Sequence, residues 1–234
     1  MKKSIVLVSA FILVLGVAIS HAEVRSKNAV GYVKVEIPGE RLELVSTPFV
    51  NLDQSAQTLD DIFGTDLPDN TVVFVFQQGP GYTPYTYYDG DGWLDDDFLP
   101  AGDTVLERGD AFWVDLPAGS TNQTIFVMGE VPGDDLAPTN TVVVPEGLRL
   151  FSFAYPAELS INDVRSGVNP LDLDEIHVWD AEGRRYHTFT FYDEDGWLDD
   201  DFLPVDIILQ PGRGYWYESG SATVWEQVKP YDWP

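Results

Sequence analysis

Tyr88-Asp89-Gly90-Asp91-Gly92-Trp93-Leu94-Asp95-Asp96-Asp97-Phe98-Leu99-Pro100 returns as Tyr192-Asp193-Glu194-Asp195-Gly196-Trp197-Leu198-Asp199-Asp200-Asp201-Phe202-Leu203-Pro204, with a single difference, Gly90 against Glu194. The second copy follows the first at a distance of 104 residues. Near-identity over thirteen positions is the mark of a tandem duplication, so the chain reads as one module written twice.

Outward from this stretch the two halves keep the same order of signals. Val33, Val35 and Ile37 alternate with Lys34 and Glu36 up to Pro38-Gly39, and Leu42 to Ser46 resumes the alternation before Pro48, which together predict a hairpin. Val142 to Pro145 and Leu148 to Ser152 answer them. Leu59, Ile62 and Phe63 fall at helical spacing, with Asp60 and Asp61 in the first turn and Gly64 as the stop, which predicts one short helix; Ser160 is the N-cap expected for its counterpart, Ile161 to Val164. Thr71 to Phe76 is a β-branched and aromatic run of the kind buried on both faces, matched by Ile176 to Trp179. Tyr82, Tyr85 and Tyr87 correspond to Tyr186, Phe189 and Phe191, and Leu106 to Trp113 corresponds to Leu209 to Trp216. Thr124 to Met128 closes the first half, and a proline-containing join follows at Pro132 to Asn140.

The expected fold is therefore all-β: a tandem duplication of a small sandwich or barrel module, with one short helix per copy. The boundaries are 1–22 for a leader, 23–133 for the first module and 134–234 for the second. The leader is read from Lys2 and Lys3, the apolar run Ile5 to Ile19, and the small-x-small pattern Ser20-His21-Ala22; this is a signal peptide, too short in its apolar part to remain as a span. The expected location is the periplasm, the cell surface or beyond, without membrane insertion after cleavage.

Charge and composition narrow the function. The formal charge of −26 becomes −28 once Lys2 and Lys3 are removed, a surface that repels nucleic acid and anionic lipid. Cysteine is absent, which removes disulfides, thiolate metal sites and a cysteine nucleophile. The leader aside, only His177 and His187 could act as imidazole bases, and neither falls in the duplicated framework; no nucleophile elbow, zinc-protease helix or phosphate loop occurs.

Two constellations remain. Asp89, Asp91, Asp95, Asp96 and Asp97, with Asp193, Asp195, Asp199, Asp200 and Asp201, are hard oxygen ligands of the type calcium takes, although the spacing departs from an EF-hand at its fifth, sixth and twelfth places. An acidic turn without metal is equally consistent: Asp95 and Asp97 on one strand face would stand about 7 Å apart and repel by roughly 0.6 kcal/mol in water. Tyr85, Tyr87, Trp93 and Trp197, within a wider aromatic set including Tyr82, Trp113, Tyr186 and Trp216, offer platforms for stacking a sugar ring, or else simply pack.

The order Leu42-x-Leu44-Val45-Ser46-x-Pro48, short helix, apolar strand, Tyr-rich strand, and Leu106-x-x-Gly109-x-Ala111-Phe112-Trp113 resembles the small all-β modules of secreted and cell-surface bacterial proteins. It is also similar to exported two-copy proteins of the Planctomycetes and Verrucomicrobia group. The resemblance covers residues 30 to 228 and departs at Glu40-Arg41 and Glu146-Gly147, where Gly-Trp is usual. It implies the module and no chemistry. The expected function is thus a non-catalytic exported surface or structural protein with calcium-stabilised loops, the partner being a polysaccharide or a cell-surface protein. The alternatives are a carbohydrate-binding module on the Tyr and Trp strands and, third, a glycoside hydrolase on the aspartates.

Overall fold

The computed structural model describes residues 29–232 except 54, 66, 78 and 134–138. The predicted leader and the centre of the join lie outside the described residues.

The first half contributes strands β1 (Val30–Ile37), β2 (Leu42–Val45), β3 (Gln57–Thr58), β4 (Val72–Gln77), β5 (Gly81–Tyr88), β6 (Gly92–Leu94), β7 (Val105–Leu106), β8 (Phe112–Asp115) and β9 (Gln123–Glu130), with helix α1 (Leu59–Phe63) between β3 and β4. The second contributes β10 (Thr139–Val144), β11 (Gly147–Ser152), β12 (Leu159–Ser160), β13 (Glu175–Asp180), β14 (Arg185–Tyr192), β15 (Gly196–Leu198), β16 (Ile208–Leu209), β17 (Gly214–Ser219) and β18 (Thr223–Val228). Each half is built on a five-stranded antiparallel sheet, β2-β8-β4-β5-β6 and β11-β17-β13-β14-β15, with a pair β1-β9 or β10-β18 and a short pair β3-β7 or β12-β16. Every strand of one half therefore has its equivalent nine strands later. The sheets are open, and among the described residues no barrel closes.

Each half closes over its own core. Ile37, Val45, Leu59, Val73, Trp93, Phe112, Val114 and Val127 meet in the first; Val144, Phe151, Phe153, Ile176, Trp197, Tyr217 and Trp225 meet in the second. Burial of each such side chain stabilises by about 1.5–3 kcal/mol, and the alternation seen in β1 and β9 is the sequence record of that one-sided burial.

Two expectations are corrected. β1 and β2 do not form a hairpin: β1 pairs along its length with β9, and β2 pairs with β8. Pro38-Gly39 is instead a corner at which the chain passes from one sheet to the other. Gly39 lies so close to Ser120 that a Cβ would meet its carbonyl oxygen at 2.2 Å, and its N–H donates to Asn122 Oδ1 at 3.0 Å. In the second copy the short helix expected at Ile161 to Val164 is, among the described residues, a single 3₁₀ turn, Val164–Ser166. In the first copy Thr58 and Asp61 cap each other reciprocally and α1 propagates. In the second, Ser160 Oγ donates to Asp206 and Asp163 is drawn to Arg165, so the equivalent box never forms.

The two halves meet through the outer faces of their large sheets. β4 turns Val73 into the module core and Phe74 and Phe76 into the seam, where Leu44, Ala111, Trp113, Leu150, Trp179 and Trp216 cluster. Both faces of the strand are covered, as expected, but its second cover is the other module. The seam repeats itself about a pseudo-two-fold axis, the arrangement of an isologous dimer written into one chain. Ser46 N–H donates to Gly212 O at 3.0 Å while Ser152 N–H donates to Gly109 O at 2.8 Å, and their hydroxyls donate to Arg213 O and Asp110 O. Phe76 packs edge-on against Trp216 at 4.9 Å, and Trp179, at the equivalent place, against Trp113 at 5.2 Å. Close approach needs small residues at the axis: a Cβ on Gly214 would lie 2.4 Å from Cβ of Ala111.

Candidate functional site

The duplicated stretch forms the β5–β6 and β14–β15 hairpins and a knuckle beyond each. In the first hairpin Asp91 N–H donates to Tyr88 O at 3.1 Å, with φ of +89° at Gly90, the signature of a type II turn; Asp195 N–H makes the same bond to Tyr192 O with Glu194 outside the left-handed region. The single difference between the copies therefore coincides with a change of turn type. In the knuckle, Asp95 is not on a strand face. Its Oδ1 accepts from Asp97 N–H at 3.0 Å and Leu99 N–H at 2.9 Å, and Asp199 does the same for Asp201 and Leu203. These bonds hold Phe98 and Phe202 at φ +59°, a conformation that costs a non-glycine residue roughly 1–2 kcal/mol.

Asp95 and Asp199 are thus half-buried braces of the backbone. Asp89, Asp91, Asp193 and Asp195 stand exposed in the hairpin turns, and Asp96, Asp97, Asp200 and Asp201 stand exposed on the knuckles. The hairpin turns are held from outside the repeat, by Asp69 Oδ1 accepting from Asp89 N–H and Asp172 Oδ1 from Asp193 N–H. Among the described residues no three of the ten repeated aspartates bring ligand oxygens within 4.8 Å of one another.

The aromatic expectation is corrected at its centre. Trp93 and Trp197, 1% and 2% exposed, are core residues, packed on Phe63 and Tyr87 and on Phe191 and Tyr217 respectively. Tyr87 is buried, its hydroxyl donating to Thr65 O at 3.0 Å, and Tyr85 packs against the same core. Trp93, Trp197 and Tyr87 are thus enclosed by the cores beneath their hairpins, and Tyr85 is partly buried.

The open aromatic surface lies at the seam. Leu42, Phe74, Tyr82, Trp113, Trp179 and Tyr186 line a cleft of about 420 Å³ to which both modules contribute. Tyr82 and Tyr186 are 44% and 41% exposed and form its rim. Trp113 Nε1 donates to Tyr82 Oη at 3.1 Å and Trp179 Nε1 to Leu42 O at 2.8 Å, which fixes both indoles. Trp179 and Tyr186 meet at 5.0 Å between centroids. Partial burial raises the phenol pKa of both tyrosines above its ordinary value, so both remain neutral hydroxyl donors. The lining contains no carboxylate and no imidazole. The cleft's volume falls within the range of about 300–1,000 Å³ usual for small-molecule sites, and its chemistry of rings edged by hydroxyls suits a ligand with one apolar and one polar character.

A second group was missed by sequence reasoning. On the outer face of the second sheet, Glu175 and His177 of β13 and Glu218 of β17 converge. Alternation placed the first two on one face, but nothing local indicated Glu218, which reaches them by strand pairing. His187, by contrast, lies on β14 with its Nε2 3.6 Å from Asp180.

Among the described residues no helix is long and apolar enough to cross a membrane. Comparison with protein-family models, with curated proteins and with solved structures finds no match to this chain, so the functional reading proceeds from geometry.

Proposed function

We propose that the protein is a non-catalytic, exported two-module binding protein that takes a ring-bearing ligand, a carbohydrate chain, in the aromatic cleft at its seam. The observation behind this reading is the cleft itself: two tyrosines half-exposed on a rim, over two tryptophans whose N–H groups are already engaged, between modules that fasten to each other on a pseudo-two-fold axis. Trp113, 6% exposed, forms the floor, and the ring surface open to a ligand is that of Trp179, Tyr82 and Tyr186. A sugar ring, apolar on its faces and hydroxylated on its edge, matches this combination. The lining holds neither a carboxylate nor an imidazole, and hydrolysis of a glycosidic bond commonly uses two carboxylates across the sugar, so the cleft is read as a binding site.

The test is titration with a panel of soluble oligosaccharides, followed by tryptophan fluorescence and by retention in polysaccharide-containing gels. Binding that is lost in Tyr82→Ala/Tyr186→Ala, with the melting temperature held within a few degrees, supports the reading. A panel that leaves fluorescence and mobility unchanged removes it.

Calcium at the duplicated knuckles is a second reading. Each copy exposes four aspartates, two at its hairpin turn and two on the knuckle braced by Asp95 or Asp199, and their summed negative charge would attract a divalent counter-ion. A rise in melting temperature in millimolar calcium, reversed by chelation and abolished in Asp96→Asn/Asp97→Asn/Asp200→Asn/Asp201→Asn, supports it; a melt indifferent to calcium removes it and leaves the carbohydrate reading untouched.

A further inference from the structure

We propose that Glu175, His177 and Glu218 form a site for a first-row divalent cation, with Zn²⁺ the best match to the donor set. His177 Nε2 lies 3.8 Å from Glu175 Oε2 and 4.0 Å from Glu218 Oε2, and the ligand atoms of all three fall within 4.8 Å of one another. These gaps are too wide for a charge-assisted hydrogen bond, which would stand at about 2.7–2.9 Å. They suit an ion between the groups. Zinc bonds of about 2.0–2.2 Å at a tetrahedral angle place neighbouring donors ~3.4 Å apart, so each carboxylate would move inward by roughly half an ångström.

Three further observations point the same way. The imidazole is oriented from behind: Nδ1 lies 2.9 Å from Thr188 Oγ1, and a proton on Nδ1 donated to that hydroxyl leaves the Nε2 lone pair facing the carboxylates. Glu175 and Glu218 stand directly opposite each other on β13 and β17, a like-charge pair that destabilises a sheet unless something positive lies between. The duplication supplies an internal control. By strand register, Val72, Phe74 and Asp115 of the first copy occupy the places of Glu175, His177 and Glu218. In the first copy Phe74 packs in the seam, and only the second copy has three ligands at these places.

One imidazole and two carboxylates favour zinc or its first-row neighbours over calcium, which takes all-oxygen sets. The ligands sit on two paired central strands, not on a loop, with the histidine mostly buried and Glu218 open to solvent, so ligand positions remain for water or for a donor from a bound molecule. The site lies beside the cleft, with His177 and Tyr186 rings 6.2 Å apart, but does not depend on what the cleft takes.

The experiment is calorimetric titration of the full chain with Zn²⁺ alone, against His177→Gln, His177→Phe, Glu175→Gln, Glu218→Gln and Thr188→Val. His177→Phe copies the residue of the first copy and guards against loss of fold, which circular dichroism checks for every variant. Expected are one zinc per chain, a loss of at least about a hundredfold in affinity without His177, at least about tenfold without either carboxylate, and about tenfold in Thr188→Val, the effect of releasing the imidazole's orienting partner. In NMR, zinc is expected to shift the ring nitrogens of His177 and leave those of His187 in place. Absence of binding at a hundred micromolar zinc overturns the proposal, as does binding that folded His177→Phe retains in full, which would assign the metal to the exposed aspartates.

Discussion

Glu43 gives the sharpest test of how the seam is held. By the pseudo-symmetry it stands where the second copy has Arg149, and Arg149 forms an ion pair across the seam with Asp110 at 2.8 Å. The mirrored pair has its charges exchanged, Glu43 with Arg213, but is incomplete. Arg213 donates its hydrogen bond to Trp179 O and acts on Glu43 only through its charge. Burial consequently dominates and pushes the Glu43 carboxyl up to about 7 from an ordinary 4.5, the opposing pull of Arg213 and of Leu44 N–H being too weak. A native-state pKa above the unfolded one means that the folded protein holds a proton the unfolded chain has released between those two values. Stability should therefore fall as pH rises from 4.5 to 7, with the full penalty present above 7 and absent below 4.5.

The displacement corresponds to ~3 kcal/mol at most, since each pH unit is worth about 1.4 kcal/mol. Glu43→Gln removes the charge while keeping the shape. At pH 8 the variant is expected to be more stable than the parent by up to ~3 kcal/mol, or roughly 5–10 °C in melting temperature for a chain of this size. At pH 4.5 the two should nearly coincide. The assay is urea or thermal unfolding of both proteins from pH 4.5 to 8.5 at constant ionic strength, read as the difference between them so that the many other acids cancel. A difference that does not grow with pH, or a variant less stable at pH 8, would refute the reasoning and show that Arg213 satisfies Glu43 after all.

Three further outcomes are expected. Asp95→Ala and Asp199→Ala should each cost about 1–2 kcal/mol in calcium-free unfolding, because each removes an acceptor for two backbone N–H groups, whereas Asp96→Ala and Asp97→Ala should stay within about 0.5 kcal/mol. Gly90→Ala should cost about 1 kcal/mol through its left-handed backbone alone, with no side chain within 4 Å to clash, while Glu194→Ala in the other copy should be nearly silent by the same measurement. Gly214→Ala should lower stability by about 1–3 kcal/mol, since its methyl group would collide with Ala111 and Leu44 across the seam, and limited proteolysis should then cut more readily between the modules.

The repeated stretch made the duplication and the β class legible, because a period-two pattern and a near-identical thirteen-residue string are local properties. The errors came where pairing is not local. β1 and β2 are adjacent in sequence and separated by Pro-Gly, yet β1 finds its partner some ninety residues on, and no pattern within eight residues distinguishes a hairpin from a sandwich corner. The same blindness concealed the seam, whose Ser46 contact spans 167 residues, and hid Glu218 from His177. The aspartates are ambiguous for a different reason: a carboxylate that braces two backbone N–H groups and one that binds calcium use the same residue in the same kind of turn.

Duplication itself sorts scaffold from site. Positions that both copies need for folding resist change, and Trp93 with Trp197, Asp95 with Asp199, and Ser46 with Ser152 prove to be core, brace and seam. A scaffold present twice can afford divergence wherever packing permits another residue type. Phe74 and Val72 against His177 and Glu175 are divergences of that kind, and they fall on one face of one sheet, beside the aromatic cleft. Identity between the halves directed attention to the acidic knuckles, which have a structural reason to be identical. The places where the halves disagree are the ones to search for chemistry, since there a second copy of the scaffold has exchanged an apolar pair for an imidazole and a carboxylate that stand opposite a further carboxylate.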